Sequence, residues 1–501
     1  MIQAYIALGV LAICLFFKWS CSYWRRTANI DGPQPLPIFG NFLEAIISKK
    51  HYGEIFEDIY RSYPTASWVG VYELFNKPAV LVRDLELVKD VLVSSFQHFN
   101  ANSFRVDAKN DPLMARNPFT QVEDRWKELR AQIVPIFVAS KVRATFPIMK
   151  SVAENFFNYV SKTRPHSPDF EAQEICAKYT LDVVSSCAFG IDAESFTSPE
   201  PKFRQMTNQL FDANSTVTWI RTFLALFAPQ VASWLKLSFV PKHVDRWFRG
   251  VISEVLRQRE NGTVKRSDLF QAIYDNLRRN GGKVEMDDIA GMSILFASEG
   301  FETSSITMCH FLYELASNKH IQDKVLQELD TVMKDTNGEL TDEVVQKLNY
   351  MERGMYETLR LHPVTFTVSR VCTKDYELPP QYANDQKRAI VKKGMTVIIP
   401  TSAIHCDPEI FPDPYRFDPD RFLEENKDSR HRYAYLGFGE GPRICPGMKF
   451  GLTQSKIGMA TLLNRYRVEL APKQELPLEF SRTSFLRVPK KGVWIRFVER
   501  K

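Results

Sequence analysis

The chain has 501 residues, with 65 Lys+Arg against 59 Asp+Glu for a net charge of +6, and 44% of it is hydrophobic. Glycine and proline contribute only 22 and 28 residues, which excludes collagen-like and low-complexity architectures, and the apolar content excludes wholesale disorder. Basic residues are interleaved with acids, which gives nucleic-acid binding no support. Eight cysteines (14, 21, 176, 187, 309, 372, 406 and 445) stand singly with no Cys-x-x-Cys pair, against a zinc ribbon or a dense disulfide framework. No repeat or long linker divides the chain, so one large domain with free thiols is expected.

From Ile2 to Phe17 no charged residue occurs; Lys18, an aromatic-flanked stretch from Trp19 to Trp24, and Arg25-Arg26 follow. Residues 1–24 are therefore expected to form a retained membrane anchor. The run is shorter than the roughly 20 residues of a spanning helix, but a cleaved signal peptide would place basic residues before it and a small-residue site after it. Basic residues beyond the run leave the body cytoplasmic, where the sequons at Asn214 and Asn261 would go unused. Residues 25–41 read as a basic and proline-rich hinge, because each proline in Gly32-Pro33-Gln34-Pro35-Leu36-Pro37 removes an amide donor and fixes φ.

The body, residues 42–501, shows helical periodicity in Val122 to Lys141, Phe170 to Phe189, Asp245 to Arg257 and Asp287 to Ser317. Short strands are expected at Ala79 to Val82, Thr396 to Ile399 and Gly492 to Phe497. The fold class is thus mainly α with small β-sheets. Trp219 to Leu237 is unusually apolar, with Trp219, Phe223, Leu226, Phe227, Trp234 and Leu235 around Pro229. It reads equally as buried core and as an amphipathic segment dipping into a bilayer interface.

Near the C-terminus stands Phe438-Gly439-Glu440-Gly441-Pro442-Arg443-Ile444-Cys445-Pro446-Gly447. Its glycines let the backbone turn tightly against a flat ligand, and Arg443 places a cation two residues before the sulfur. A dinucleotide loop begun by Gly439-x-Gly441 fails, because Ile444 replaces the third glycine. A lone cysteine is usually a small core hydrophobe, but the whole pattern Phe-x-x-Gly-x-Arg-x-Cys-x-Gly resembles the haem-binding signature of the cytochrome P450 superfamily. Glu357-Thr358-Leu359-Arg360 is similar to that family's Glu-x-x-Arg pair. Phe417-Asp418-Pro419-Asp420-Arg421-Phe422 is similar to its Pro-Glu-Arg-Phe element, with Asp420 where Glu is usual. Glu299-Gly300-Phe301-Glu302-Thr303-Ser304 resembles the oxygen-activation helix, and Trp126-x-x-x-Arg130 the helix that meets a haem propionate.

The resemblance spans essentially the whole chain and is greatest to insect microsomal members. It implies that residues 42–501 form a haem-thiolate monooxygenase domain using haem b (iron protoporphyrin IX). Cys445 would be the axial ligand of the iron, Trp126, Arg130, Arg370 and Arg443 would hold the propionates, and Phe438 would shield the sulfur. Thr303 and Glu302 would relay protons, although a helix threonine commonly just bonds back to a preceding carbonyl. Glu357, Arg360 and Arg421 would form a buried structural cluster, the alternative for the first two being a surface pair of little consequence. Glu299 departs from the family's Ala or Gly and is expected to point away from the haem.

Because no flavin or nicotinamide fingerprint appears, electrons would come from a membrane-bound NADPH-dependent cytochrome reductase, with cytochrome b5 as a second candidate donor. They would dock where Arg443 and Lys449 lie near Lys127 and Arg130. The substrate would be a lipophilic small molecule met by Phe99 to Phe119, Phe296, Ala297, Val364 to Val368 and Phe485-Leu486, and the location the endoplasmic reticulum membrane. The rival functions are a dedicated endogenous steroid or lipid hydroxylase, a peroxide-rearranging isomerase, which the Glu302–Thr303 pair speaks against, and a non-catalytic haem-binding sensor or carrier.

Overall fold

A computed structural model describes residues 2–211, 215–263, 266, 268–279 and 286–500. Helices make up most of it, and β-structure is confined to small sheets. The largest sheet has four strands in the order Trp68–Tyr72, Pro78–Val82, Thr396–Ile399, Val368–Val371. The middle pair is parallel and the outer pairs are antiparallel. Its strands are short runs of β-branched and aromatic residues, and Trp68, Val80, Leu81, Val397 and Ile398 are buried within a core that also takes Phe42 and Phe56. A three-stranded antiparallel sheet joins Asp169–Glu171, Trp494–Glu499 and Tyr466–Leu470.

The second core is helical. The helices Phe146–Thr163, Ala172–Ala188, Glu302–Ser317 and Met448–Leu463 pack together around Phe156, Tyr179, Met308 and Ile457. Several predicted helices are divided where a local residue forces it. The segment expected over Val122 to Lys141 runs as Glu123–Ile133, one tight turn and Ala139–Ala144, because Pro135 lacks the amide donor that would continue the ladder. The segment expected from Phe170 begins as a strand and becomes helical at Ala172, where Glu171 accepts from the backbone N–H of Gln173 and Glu174. The long helix expected from Asp287 to Ser317 is interrupted, as Met286–Glu299 and Glu302–Ser317.

Residues Ile2–Ser20 are helical, but among the described residues no helix is long and apolar enough to cross a membrane. The expected spanning anchor therefore has no support in the structure; the uncharged run, Ile2 to Phe17, is short for it. The hinge packs on the body, the backbone N–H of Asp31 donating to Gln381 Oε1 at 2.9 Å, and just before it Trp24 is buried and donates from Nε1 to Val71 O at 3.0 Å. The apolar stretch after Trp219 splits into the helices Thr216–Phe227 and Pro229–Trp234. Trp219, Phe223 and Leu226 turn into the core, whereas Trp234 is 80% exposed beside exposed Leu235. Of the two sequons, Asn261 is exposed at a helix end and Asn214 lies outside the described residues. All eight cysteines are free thiols.

Candidate active site

Cys445 sits between a tight turn and a helix N-terminus. Gly439 and Gly441 hold φ at +71° and +75°, and a Cβ on Gly441 would come within 2.0 Å of Leu92 O, so glycine is required for the turn to close there. The backbone N–H of Cys445 donates to Phe438 O at 2.9 Å, and the helix Met448–Leu463 starts three residues on. Burial pushes the Cys445 thiol up to about 11, and the Glu299 carboxylate pushes the same way. The backbone N–H groups of Gly447 and Met448 and the Arg130 guanidinium oppose them. A helix N-terminus favours a thiolate, and a bound metal would displace the thiol proton outright. Although set deep in the fold, the Cys445 side chain remains accessible, so it faces an internal space.

Four guanidinium groups gather beside this space. Arg443 donates to Asn100 O at 2.7 Å, Gln121 O at 2.6 Å and Pro118 O at 3.3 Å, and lies 4.5 Å over the ring of buried Trp126. Arg370, placed by the strand Val368–Val371, is buried and donates to Asn102 Oδ1 at 2.9 Å. Arg130 donates to Ile444 O at 2.5 Å. Burial lowers Arg443 to about 9, with repulsion from Arg370, Arg130 and Arg105 adding to it, and burial lowers Arg370 to about 10. The Nε groups of Arg105, Arg130 and Arg370 are buried with no acceptor among the described residues. Such a cluster is costly without anions. A flat ligand carrying two carboxylates and a metal facing Cys445 satisfies both halves of the site, and haem has that chemistry.

Behind the site the structure brings Glu357, Arg360 and Arg421 together. Arg360 donates to both Glu357 oxygens at 2.7 and 2.8 Å and to His405 O and Pro414 O at 2.6 and 2.7 Å, with both side chains fully buried. The Arg421 guanidinium approaches Glu357 to 3.3 Å, and the backbone N–H of Asp418 donates to Glu357 at 3.0 Å. His405 joins this cluster to the cysteine loop: its Nδ1 donates to Arg360 O at 3.1 Å, and its Nε2 accepts from the backbone N–H of Leu436 at 2.8 Å. Phe438 is half-buried, edge-on to Tyr356 with ring centroids 6.3 Å apart.

The helix interruption distributes the remaining groups. A Cβ on Gly300 would lie 2.6 Å from Phe296 O. The Thr303 hydroxyl donates to Glu299 O at 2.7 Å, the back-bond that helix threonines commonly make. Glu302 accepts from Gln173 Nε2 at 3.2 Å and lies 3.9 Å from Arg204; burial raises its pKa, and these neighbours oppose the rise. Glu299, by contrast, accepts from Asn117 Nδ2 at 2.8 Å, and its charge reaches Cys445. Asn117 thus sets the direction of the Glu299 carboxyl.

Of the four cations expected on the docking side, two also hold the place expected for them at the propionates. Arg443 and Arg130 are engaged with interior carbonyls, which leaves Lys449 exposed and Lys127 exposed but paired with Asp124 at 3.0 Å. Sequence reading missed Arg105, which stands in a loop assigned to substrate contact, and His405, whose partners lie on distant segments. No local spacing marks either residue.

The cytochrome P450 family model matches residues 30–496. The chain is 35% identical over 497 residues to probable cytochrome P450 308a1 of Drosophila melanogaster, covering 98% of this chain and 97% of that protein. It is 32% identical over 520 residues to cytochrome P450 6k1 of Blattella germanica, covering 99% and 96%. With a match this complete, and with a buried cysteine and arginine cluster suited to haem, the chain belongs to the cytochrome P450 family and is a P450 monooxygenase, a family that holds haem through a cysteine thiolate.

Proposed function

We propose that this protein inserts one oxygen atom into lipophilic small molecules, in xenobiotic or hormone metabolism, using haem b held by Cys445. The observation that carries the reading is the pairing of Cys445, capped by the N–H groups of Gly447 and Met448, with the cations of Arg105, Arg130, Arg370 and Arg443. When bound, the haem supplies the oxygen-activating chemistry, which electron donation from a thiolate favours. The four arginines and Trp126 hold its carboxylates. Thr303, with its proton committed to Glu299 O, keeps oxygen lone pairs free to accept from and orient a water. Glu302, turned toward Gln173 and Arg204, serves as the outer end of the proton route.

Electrons come from an NADPH-dependent reductase, with cytochrome b5 as a further donor, and exposed Lys449 helps the encounter more than the affinity. The protein works at the cytoplasmic face of the endoplasmic reticulum membrane. Supporting this, the helix Ile2–Ser20 exposes Leu8, Leu11, Leu15, Phe16 and Trp19, and Trp234 and Leu235 are exposed as well, an apolar surface suited to lying in a lipid interface.

The test is the reduced, carbon monoxide-treated absorbance spectrum of the full chain beside Cys445→Ser. A strongly red-shifted Soret band that the variant lacks is expected. Its absence from the unaltered protein sinks the haem-thiolate reading.

A further inference from the structure

Glu299 is a carboxylate with no paired cation among the described residues. Its Oε1 accepts from Asn117 Nδ2 at 2.8 Å, and the orientation of that amide is fixed, because Asn117 Oδ1 accepts from the backbone N–H of Phe119 at 2.8 Å. Asn117 itself is fully buried. Glu299 Oε2 has no hydrogen-bond partner among the described residues, yet it is not among the sealed polar atoms, and the residue is only half-buried. It therefore opens onto an internal space, and the Cys445 thiol feels its charge. Phe296 and Ala297, on the preceding turn of the same helix, are buried apolar residues, and the Phe296 ring lies 5.3 Å from that of Phe137.

Two roles suit an acid in this position, proton delivery and ligand recognition. Delivery needs a path onward, but the partner of Glu299 is an amide N–H that does not pass a proton. Recognition needs one oxygen held and the other free, which is the observed arrangement. Burial raises Glu299 to about 7, so a cation placed against it relieves the cost of ionising there.

We propose that Glu299 is the recognition group for a cationic substrate: the space onto which Glu299 Oε2 opens takes lipophilic amines, whose ammonium pairs with that oxygen. This rests on the monooxygenase reading and narrows its substrate class. A charge-assisted contact in a poorly solvated site exceeds what a neutral isostere of the same shape gains there.

The experiment compares N,N-dimethylbenzylamine with its carbon isostere isobutylbenzene by titration calorimetry on the haem-loaded full chain, before and after Glu299→Gln. The unaltered protein is expected to bind the amine roughly 10-fold to 100-fold tighter than the isostere, the range of a single charged hydrogen bond. Glu299→Gln should bring the two within about threefold by weakening the amine alone, since the factor lost is that same contact. Equal affinities in the unaltered protein overturn the proposal without reference to any variant, and so does a preference that Glu299→Gln leaves intact. The Soret band of the same samples keeps the two readings apart: equal affinities with a normal band sink only the amine proposal, whereas a missing band with a retained preference sinks only the haem-thiolate reading.

Discussion

Two arginine clusters adjoin the cysteine loop, and they differ in how they are completed. Around Arg360 the protein supplies its own anion and a set of carbonyls: Glu357 takes two N–H groups, and His405 O and Pro414 O take others. Around Arg443 itself it supplies carbonyls and an aromatic face but, among the described residues, no paired carboxylate, and three neighbouring guanidinium groups each keep a buried Nε with no acceptor among those residues. The first cluster is finished by folding, whereas the second is finished by a ligand. Similar side chains therefore serve stability in one place and binding in the other, and what separates them is whether the counter-charge is covalently part of the chain.

Removing one partner from the finished cluster should have the largest effect. Arg360→Ala takes from the buried Glu357 carboxylate the two N–H groups of its closest cation and leaves it the longer Arg421 contact, which costs about 3–5 kcal/mol, and chemical denaturation should show the loss with or without haem. Arg370→Leu, in the unfinished cluster, should give a split result. The stability of the haem-free protein is expected to be unchanged or raised, while haem transfer to an acceptor protein speeds up by about 10-fold to 100-fold, from the loss of a charged hydrogen bond worth about 1.5–3 kcal/mol. Equal destabilisation of the haem-free protein by both variants would erase the distinction.

The effect that is smallest near neutral pH, and grows with acid, concerns the link between the clusters. Burial holds His405 neutral, with its pKa lowered from 6.5 to about 3. Below about pH 6.5 the unfolded chain takes up a proton that the folded one refuses, so stability falls as pH drops from about 6.5 toward 3, by about 1.4 kcal/mol per pH unit for this one group. His405→Gln can still donate to Arg360 O and accept from Leu436 N–H. Its acid limb should be shallower by that slope in denaturation curves collected between about pH 4 and pH 7; an unchanged limb would show that His405 is not the neutral bridge.

The features legible in the sequence were those whose partners are close in the chain. Glu357 and Arg360 stand three apart on one helix, and the cysteine loop carries its glycines, arginine and thiol within ten residues. The short strands at Pro78–Val82 and Thr396–Ile399 followed from composition. What was not legible depends on where distant segments meet. Arg105 joins the other three arginines only through the fold, and His405 finds Leu436 across 31 positions. The inward aim of Arg443 and Arg130, expected at the propionates as well as on the docking side, is set by carbonyls of the loop from Asn100 to Gln121 and of Ile444. Glu299 takes its direction from Asn117, at 182 positions' distance, and no helical periodicity encodes that.

The segment from Asn117 to Gln121 has a further consequence. Asn117 holds Glu299, the carbonyls of Pro118 and Gln121 hold Arg443, and Phe119 O accepts from Asn102, which in turn accepts from Arg370. Earlier in the same loop, Asp111 accepts from the backbone N–H groups of Phe239 and Val240, and Asp107 accepts from the Ser233 hydroxyl at 2.5 Å. One short stretch of backbone thus tethers both the cations for the cofactor and the acid facing the substrate space. Thermodynamic reciprocity then applies: a guest that firms this loop by engaging Glu299 must tighten cofactor retention by the same factor that cofactor binding tightens the guest.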